Sequence, residues 1–435
     1  MKRSRKNNRL KLFILASAVV IILSVSLGIN SVNNSQEESE EAQSIPLNLL
    51  ITNELNNLEE TRKLDIQIDH FMREWQIKGA SLAVMKDEKL IYSKGYGWAD
   101  EEAGIRMEPS HILRIASLSK LITAAGVMKL VEDSLISLDS RVFGEGGLLP
   151  FPSEGEIKDS RVKQITVEHL LRHKGGFTLR AGDPMFNTTL MSSRLKIDTI
   201  PNNDSIIKYC ASGKLGFAPG NGTRYSNLGY VILSRIIEEV TGMEYENYIK
   251  DVLLKPAGIT DMHIANNLYE EKLQNEVRYY EPSNEPLVEA YDGSRRMVKK
   301  CYGGNNIRAL QGAGAWVASP SEILLFVASI DGKNGVRDIL SSESIYTMTH
   351  STPQALPIGW AKINSSGEWS RTGTLSGSSA LLKYQKNGIS WILVTNTSSW
   401  KGARFPIQID HLIKKGLNRI PKWPDRNLFE LRILQ

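Results

Sequence analysis

Two short apolar-rich runs, Ala80 to Met85 and Lys89 to Tyr96, flank Lys86-Asp87-Glu88. Strand-length runs joined by a few polar residues predict a β-hairpin. Further along, the period changes. Leu118, Leu121, Ile122, Ala125, Met128, Leu130 and Val131 recur at near-helical spacing, which predicts a buried helix beginning at Ser117. A second helical pattern runs from Val231-Ile232-Leu233 through Ile236-Ile237. Ser319-Pro320-Ser321-Glu322 reads as a helix start, with a serine cap, proline at the first position and glutamate at the third. Strand-like runs return at Pro357 to Ile363, Glu368 to Thr372, Ala380 to Gln385 and Ser390 to Thr395, and an amphipathic helix closes the pattern from Phe405 to Leu417. Strands at both ends with helices between predict an α+β fold. Its antiparallel sheet is assembled from distant chain segments and flanked by helices, with a mainly helical lobe inserted. The stretches 178–203 and 271–300 follow neither period and are expected to be surface loops that line or cover a site.

The first residues carry Lys2, Arg3, Arg5, Lys6, Arg9 and Lys11, and Leu12 to Ile29 is then apolar or small without a charge. That order is expected of a signal peptide or signal anchor over residues 1–30, with export of the remaining chain. Ser24-Val25-Ser26 offers small residues for cleavage, but no Ala-x-Ala site stands at the end of the apolar run, which tilts the reading towards an anchor. Residues 31–60 are polar and acid-leaning around Glu37-Glu38-Ser39-Glu40-Glu41, as expected of a tether. One folded domain is expected over 61–420, with a tail over 421–435. Of the 435 residues, 41% are hydrophobic and 23% charged, enough for one large core or two lobes. The net charge of +5 mostly reflects the basic N-terminus, so it gives no argument for a nucleic-acid partner. The membrane, reached through the N-terminal segment, is the expected partner, and the location is extracytoplasmic, anchored in the cell envelope or secreted. Cys210 and Cys301 are the only cysteines and are read as free thiols.

The strongest chemical signal is Ser117-Leu118-Ser119-Lys120. Residues three apart share a helix face, so Lys120 can reach the Ser117 hydroxyl. A lysine kept neutral by burial can take the serine proton and make a nucleophile without histidine. The same spacing occurs at Ser160/Lys163, Ser193/Lys196 and Ser205/Lys208, but among Asp, Arg, Asn and Gln, where both partners are expected to be solvated. Tyr225-Ser226-Asn227 stands in a turn-rich stretch before a helical pattern; a second Tyr-x-Asn at Tyr245-Glu246-Asn247 lies in a helix-like run and reads as surface. Arg371-Thr372-Gly373-Thr374 opens a strand of small and hydroxylated residues, suited to close approach of a ligand to backbone.

Ser-x-x-Lys, Tyr-x-Asn and basic-Thr-Gly in this order resemble the serine β-lactamase and penicillin-binding-protein superfamily, closest to its class C β-lactamase, DD-carboxypeptidase and esterase branch. The resemblance covers about residues 65 to 415, and Ile165-Thr166-Val167-Glu168-His169-Leu170-Leu171-Arg172-His173, Phe217-Ala218-Pro219-Gly220 and Leu254-Lys255-Pro256-Ala257-Gly258-Ile259 share the branch's look. It implies a DD-peptidase/β-lactamase-like fold and a serine hydrolase that needs no metal or organic cofactor. Ser117 would form an acyl-enzyme with a small-molecule or peptide substrate. Lys120 and Tyr225 would carry protons, and Asn227 would hold Lys120 and contact the substrate's amide. The N–H groups of Ser117 and Thr374 would form an oxyanion hole, with Thr372 and Gly373 in the substrate-binding strand. Arg371 departs from the family, where lysine or histidine is usual. Arginine stays protonated and can grip a carboxylate or phosphate at two points, so it is expected to recognise an anionic group. An amide, peptide or ester of the cell envelope or wall is the expected substrate. A β-lactamase or penicillin-binding protein, and a non-hydrolytic penicillin-recognising sensor, remain alternatives.

Competing motifs are absent. His169 and His173 have a metal-like spacing, but Leu170 stands where the zinc-protease motif needs glutamate, so both read as packing or hydrogen-bonded histidines. No Gly-x-Ser-x-Gly elbow, phosphate loop or dinucleotide signature occurs. Trp360, Trp369, Trp391 and Trp400 are expected in the core or at its rim.

Overall fold

The computed structural model describes residues 45–432 except 181, 351, 353–355 and 387; the basic and apolar leader and the start of the expected tether lie outside them. The strands are β1 (Gly79–Lys86), β2 (Lys89–Asp100), β3 (Ile105–Arg106), β4 (Leu113–Arg114), β5 (His263–Ile264), β6 (Val288–Glu289), β7 (Met297–Val298), β8 (Trp316–Ala318), β9 (Lys362–Ile363), β10 (Glu368–Leu375), β11 (Ser378–Gln385) and β12 (Ile389–Thr395). Seven of them form one sheet in the order β3-β2-β1-β12-β11-β10-β9. Its neighbours are antiparallel, with Ala80 opposite Thr395, Leu381 opposite Leu393 and Gly373 opposite Ala380. The first hairpin and the last three long strands thus meet through β1 and β12, as the pattern predicts. The hairpin turns at Asp87 and Glu88, both at positive φ, the conformation that suits a tight two-residue turn.

Why β1 is an unbroken apolar run rather than an alternating one follows from its two covered faces. Leu82 and Val84 pack with Leu64 and Ile68 of helix α1 (Arg62–Glu74), while Ala83 and Met85 face the larger core on the other side. That larger core contains α2 (Ser119–Glu132), α3 (Asn227–Thr241) and α4 (Pro320–Ala328); α5 (Phe405–Leu417) joins α1 on the first face. α4 begins as predicted, with Ser319 capping the Glu322 N–H. Glu322 itself turns inward and accepts from the Thr260 and Asp261 N–H groups.

Several expectations are corrected. Of the run Pro357 to Ile363 only Lys362–Ile363 is strand; Gly359 at φ +76° lies against Leu121 and Ala124 of α2, so the run is apolar because it packs as a buried loop. The stretch 178–203 is not irregular, since it holds a 3-10 turn at Pro184–Phe186 and a helix at Thr188–Leu195. Tyr245 is core rather than surface, its hydroxyl bonded to Thr123 Oγ1 and Trp316 Nε1. From Ile45 onwards the chain is one compact unit. Residues 45–60 therefore do not run as a solvated tether: Leu47 and Ile51 fill the core, and Asn48 bonds to Ser110 O and Asp261. The tail also packs, with Leu428 and Phe429 buried and Arg426 bonded to Leu55 O and Asn56. Polar composition misleads in both segments because their asparagines point inward to backbone groups. Among the described residues no helix is long and apolar enough to cross a membrane. Both cysteines are free thiols.

Candidate active site

Ser117 stands at a corner. β4 ends at Arg114, Ala116 takes φ +49°, and the 3-10 turn Ala116–Leu118 runs into α2 at Ser119. The helix therefore starts two residues later than its apolar pattern suggests. A left-handed φ at a residue with a Cβ costs roughly 1–2 kcal/mol, and the packed surroundings hold it. Ala116 is buried, and Gly373 of β10 presses on the same corner. A Cβ on Gly373 would sit 2.3 Å from Ile115 O and 3.2 Å from the Ala116 Cβ. Only glycine lets the strand approach so closely.

One helical turn beyond Ser117, Lys120 is fully buried. Its Nζ lies 3.3 Å from Ser117 Oγ, 2.7 Å from Asn227 Oδ1 and 2.5 Å from Ala313 O. A neutral amine has two hydrogens and one lone pair. With the hydrogens on Asn227 and Ala313, the lone pair is left for the serine hydroxyl. Tyr225 reaches Ser117 from the other side, Oη to Oγ at 2.7 Å. Its ring is 44% exposed while its hydroxyl end is turned in towards Lys120 and Ser117. Burial drives the Lys120 ammonium down to about 8, with Tyr225 opposing that shift and Arg371 adding to it. Burial resists ionisation of Tyr225, but the Lys120 and Arg371 charges outweigh it and bring the phenol down to about 8. Amine and phenol titrate as a coupled pair.

Arg371, on the same strand as Gly373, is only 2% exposed. Its Nε donates to Ser117 O at 2.9 Å and its Nη2 has no partner among the described residues. Ser117, Tyr225, Asn227, Arg371, Thr372 and Thr374 all line one cavity of about 230 Å³, with Phe186, Leu310 and Leu375 as apolar wall. Strand alternation puts Thr372 and Thr374 on the more open face of β10 and Arg371 and Gly373 on the buried one. All eight residues singled out from the sequence thus lie at this corner of the fold. The other Ser-x-x-Lys copies stay on the surface, where Lys163 pairs with Glu154 and Lys208 with Glu156.

The Beta-lactamase family model matches residues 64–411. This chain belongs to the Beta-lactamase family. Members of this β-lactamase-fold serine hydrolase family similar to the chain include Esterase EstB of Burkholderia gladioli, 29% identical over 202 residues, or 46% of this chain and 50% of EstB. A penicillin-binding protein of Bacillus subtilis is 30% identical over 192 residues, or 44% of this chain and 39% of that protein. The chain spans about half the length, or less, of these curated relatives. The octameric penicillin-binding protein homologue of Pyrococcus abyssi is 24% identical with a TM-score of 0.61, covering 86% of this chain and 81% of that one. At that identity the likeness carries the fold, an antiparallel sheet flanked by helices.

Three further parts of the site were not singled out from the sequence. Ala313 supplies the carbonyl on Lys120, from a small-residue turn, Gly312-Ala313-Gly314, that carries no titratable group to flag it. His173, read from the sequence as a packing or hydrogen-bonded histidine and not as part of the site, lies under Tyr225 with ring centroids 4.6 Å apart and accepts the Ser226 N–H. Burial, with the Arg371 and Lys120 charges, pushes it well below the ordinary histidine range, so it is a neutral support for the phenol. His169 is separate, exchanging capping hydrogen bonds with Thr166. Among the described residues no cluster of His, Cys, Asp and Glu could hold a metal ion. The third addition is Asp183, whose Oδ2 accepts from Asn227 Nδ2 at 2.7 Å. The donor end of Asn227, expected to meet a substrate amide, is engaged with it here. Of the four tryptophans, Trp360, Trp369 and Trp391 are buried and Trp400 is a rim residue, 73% exposed beside Trp75.

Proposed function

We propose that the protein is an extracytoplasmic serine hydrolase that opens an amide, peptide or ester bond through an acyl-enzyme on Ser117. The observation that carries this reading is the convergence of a phenol at 2.7 Å and an amine at 3.3 Å on one serine oxygen in the wall of a cavity. With the Lys120–Tyr225 pair in its basic form, the Ser117 proton passes to the pair as Oγ bonds to the substrate carbonyl carbon. The tetrahedral oxyanion is met by the N–H groups of Ser117 and Thr374. Collapse breaks the bond to the leaving group, which takes the proton back from Tyr225. Water then attacks the acyl-enzyme, losing its proton to the same pair, and the acid leaves as Ser117 is reprotonated.

Arg371 supports an anionic substrate group. Its Nε is committed to Ser117 O, but its buried, unpartnered Nη2 belongs to a side chain on the cavity wall. A buried cation with an open donor favours a carboxylate or phosphate. The basic and apolar leader supports placing the reaction outside the cytoplasm, on an envelope or cell-wall amide or ester.

The test is covalent labelling by a fluorophosphonate or a penicillin, read by mass spectrometry on the wild type and Ser117→Ala. The expected result is a single adduct on Ser117, absent in the variant, with turnover of esters. A penicillin adduct that persists together with no turnover of any ester makes the protein a sensor instead; the fluorophosphonate adduct is stable in either case and reports only the nucleophile. No adduct, or one elsewhere, sinks the proposal.

A further inference from the structure

A side-chain amide offers an acceptor and a donor at equal reach, and Lys120 needs the acceptor. Nothing within Asn227 chooses between its two orientations, which differ by half a turn. The choice comes from its neighbour. Asp183 Oδ2 accepts from Asn227 Nδ2 at 2.7 Å, while Oδ1 accepts from the Met185 N–H at 3.0 Å. An ionised carboxylate only accepts, so it selects the orientation in which Asn227 turns NH₂ to Asp183 and its oxygen to Lys120. We infer that Asp183 is a positioning residue: it fixes the Asn227 amide and through it aligns Lys120 with Ser117. This rests on the Ser117–Lys120–Tyr225 reading above.

The same residue ties the site to the segment over it. Asp183 O accepts from the Phe186 N–H and from Asn187 Nδ2, closing the turn that puts Phe186 on the cavity wall. One carboxylate therefore shapes the wall with one oxygen and orders the proton-transfer chain with the other. The charged and titratable groups facing Lys120 are Tyr225, Tyr230, Arg371 and Asp183, with neutral His173 behind Tyr225; burial pushes the Tyr230 phenol up to about 12, so it stays neutral through the range tested. Among them Asp183 raises the Lys120 pKa and Arg371 lowers it, so Asp183 also offsets part of the arginine's field.

Asp183→Asn separates the two duties. The oxygen of the introduced amide can still cap the Met185 N–H, which keeps the turn. Its NH₂ then faces Asn227 and forces that amide to flip its donor towards Lys120. Asn227→Asp on top of it gives an acceptor on both sides again. The experiment measures the rate of Ser117 labelling by a fluorophosphonate, and its pH profile, in full-length wild type, Asp183→Asn and the double variant. General-base assistance is worth roughly 10²–10⁴-fold, so Asp183→Asn should label at least about tenfold more slowly. Its acidic limb should move to lower pH, because a charge that raises the Lys120 pKa has gone. The double variant should regain at least about tenfold, with the limb above that of wild type, since a carboxylate now touches the amine. A thermal midpoint close to wild type in Asp183→Asn shows that the turn survived. Asp183→Asn labelled as fast as wild type, or a double variant no faster than the single, overturns the inference. Absence of labelling in the wild type would instead bring down the nucleophile assignment beneath it.

Discussion

Gly373→Ala is the smallest change that tests whether β10 and the Ser117 corner work as one device. The added Cβ would meet Ile115 O at 2.3 Å and the Ala116 Cβ at 3.2 Å. Carbon and a carbonyl oxygen come no closer than about 3.3 Å, so the strand must retreat by roughly 1 Å. β10 is paired with β11 from Glu368/Gln385 to Leu375/Ser378, so the retreat cannot stay local. It carries Thr374 away from its proposed place in the oxyanion hole and lengthens the 2.9 Å bond from Arg371 to Ser117 O. Overpacking of this kind costs about 1–3 kcal/mol of stability, which a domain of ordinary stability survives. Loss of one oxyanion donor costs about 2.7–4 kcal/mol, or 10²–10³ in kcat. Catalysis should therefore suffer more than folding. The assay is steady-state hydrolysis of a neutral aryl ester together with thermal unfolding. Expected are a kcat down by about two orders of magnitude and a KM within about threefold of wild type. A folded Gly373→Ala protein with kcat within about threefold of wild type would refute the reasoning.

Activity should rise with an apparent pKa near 8, the value to which Lys120 and Tyr225 are both brought, as the coupled pair loses its proton. Arg371 lowers both groups, so Arg371→Ala should move this limb to higher pH on every substrate, and pH–rate profiles against Arg371→Lys check it. The same variant should lose more activity on a carboxylate-bearing ester than on its neutral analogue; equal losses would remove the anion-binding role. Burial, aided by the charge of Asp261, pushes the Glu322 carboxyl up to about 7. The folded state therefore keeps a proton that the unfolded chain releases. That contribution is fully present below the ordinary glutamate value of 4.5 and is lost as pH rises through 7. Glu322→Gln, which keeps an oxygen for the Thr260 and Asp261 N–H groups, should match wild type in thermal midpoint at about pH 4 and exceed it at about pH 8.

The parts of this molecule legible in its sequence are those whose signal is local. A strand covered on both faces is an apolar run whatever it pairs with, so β1, β2, β11 and β12 stand out. Ser117 and Lys120 stand out because a hydroxyl and an amine in an apolar run conflict with their surroundings. What stays hidden depends on partners far along the chain. Asp183 looks like any loop aspartate until Asn227 turns out to be beside it. Ala313 acts through a carbonyl, which every residue has. Asn48 and Asn56 make a segment look solvated although they bond inward, and Tyr245 is core because Thr123 and Trp316 satisfy its hydroxyl. The left-handed Ala116 is equally silent, since alanine prefers another conformation and only the packed corner imposes this one.

The arginine at 371 lowers both titrating groups of the site, adding to burial at Lys120 and opposing it at Tyr225. A lysine there would add a third titratable group beside Lys120 and Tyr225, and one donor centre could not serve both the Ser117 carbonyl and a ligand from fixed positions. The guanidinium commits Nε to the carbonyl and keeps Nη2 open, and arginine as a residue type is not deprotonated in proteins. Its field on the phenol and the amine is therefore constant. Beside Ser117 it is the coupled pair that exchanges protons near neutrality, with His173 held neutral behind it. In the proposed mechanism the base that activates Ser117 is this pair: burial lowers the amine most, Arg371 lowers both groups, and Asp183 raises the amine slightly while orienting Asn227.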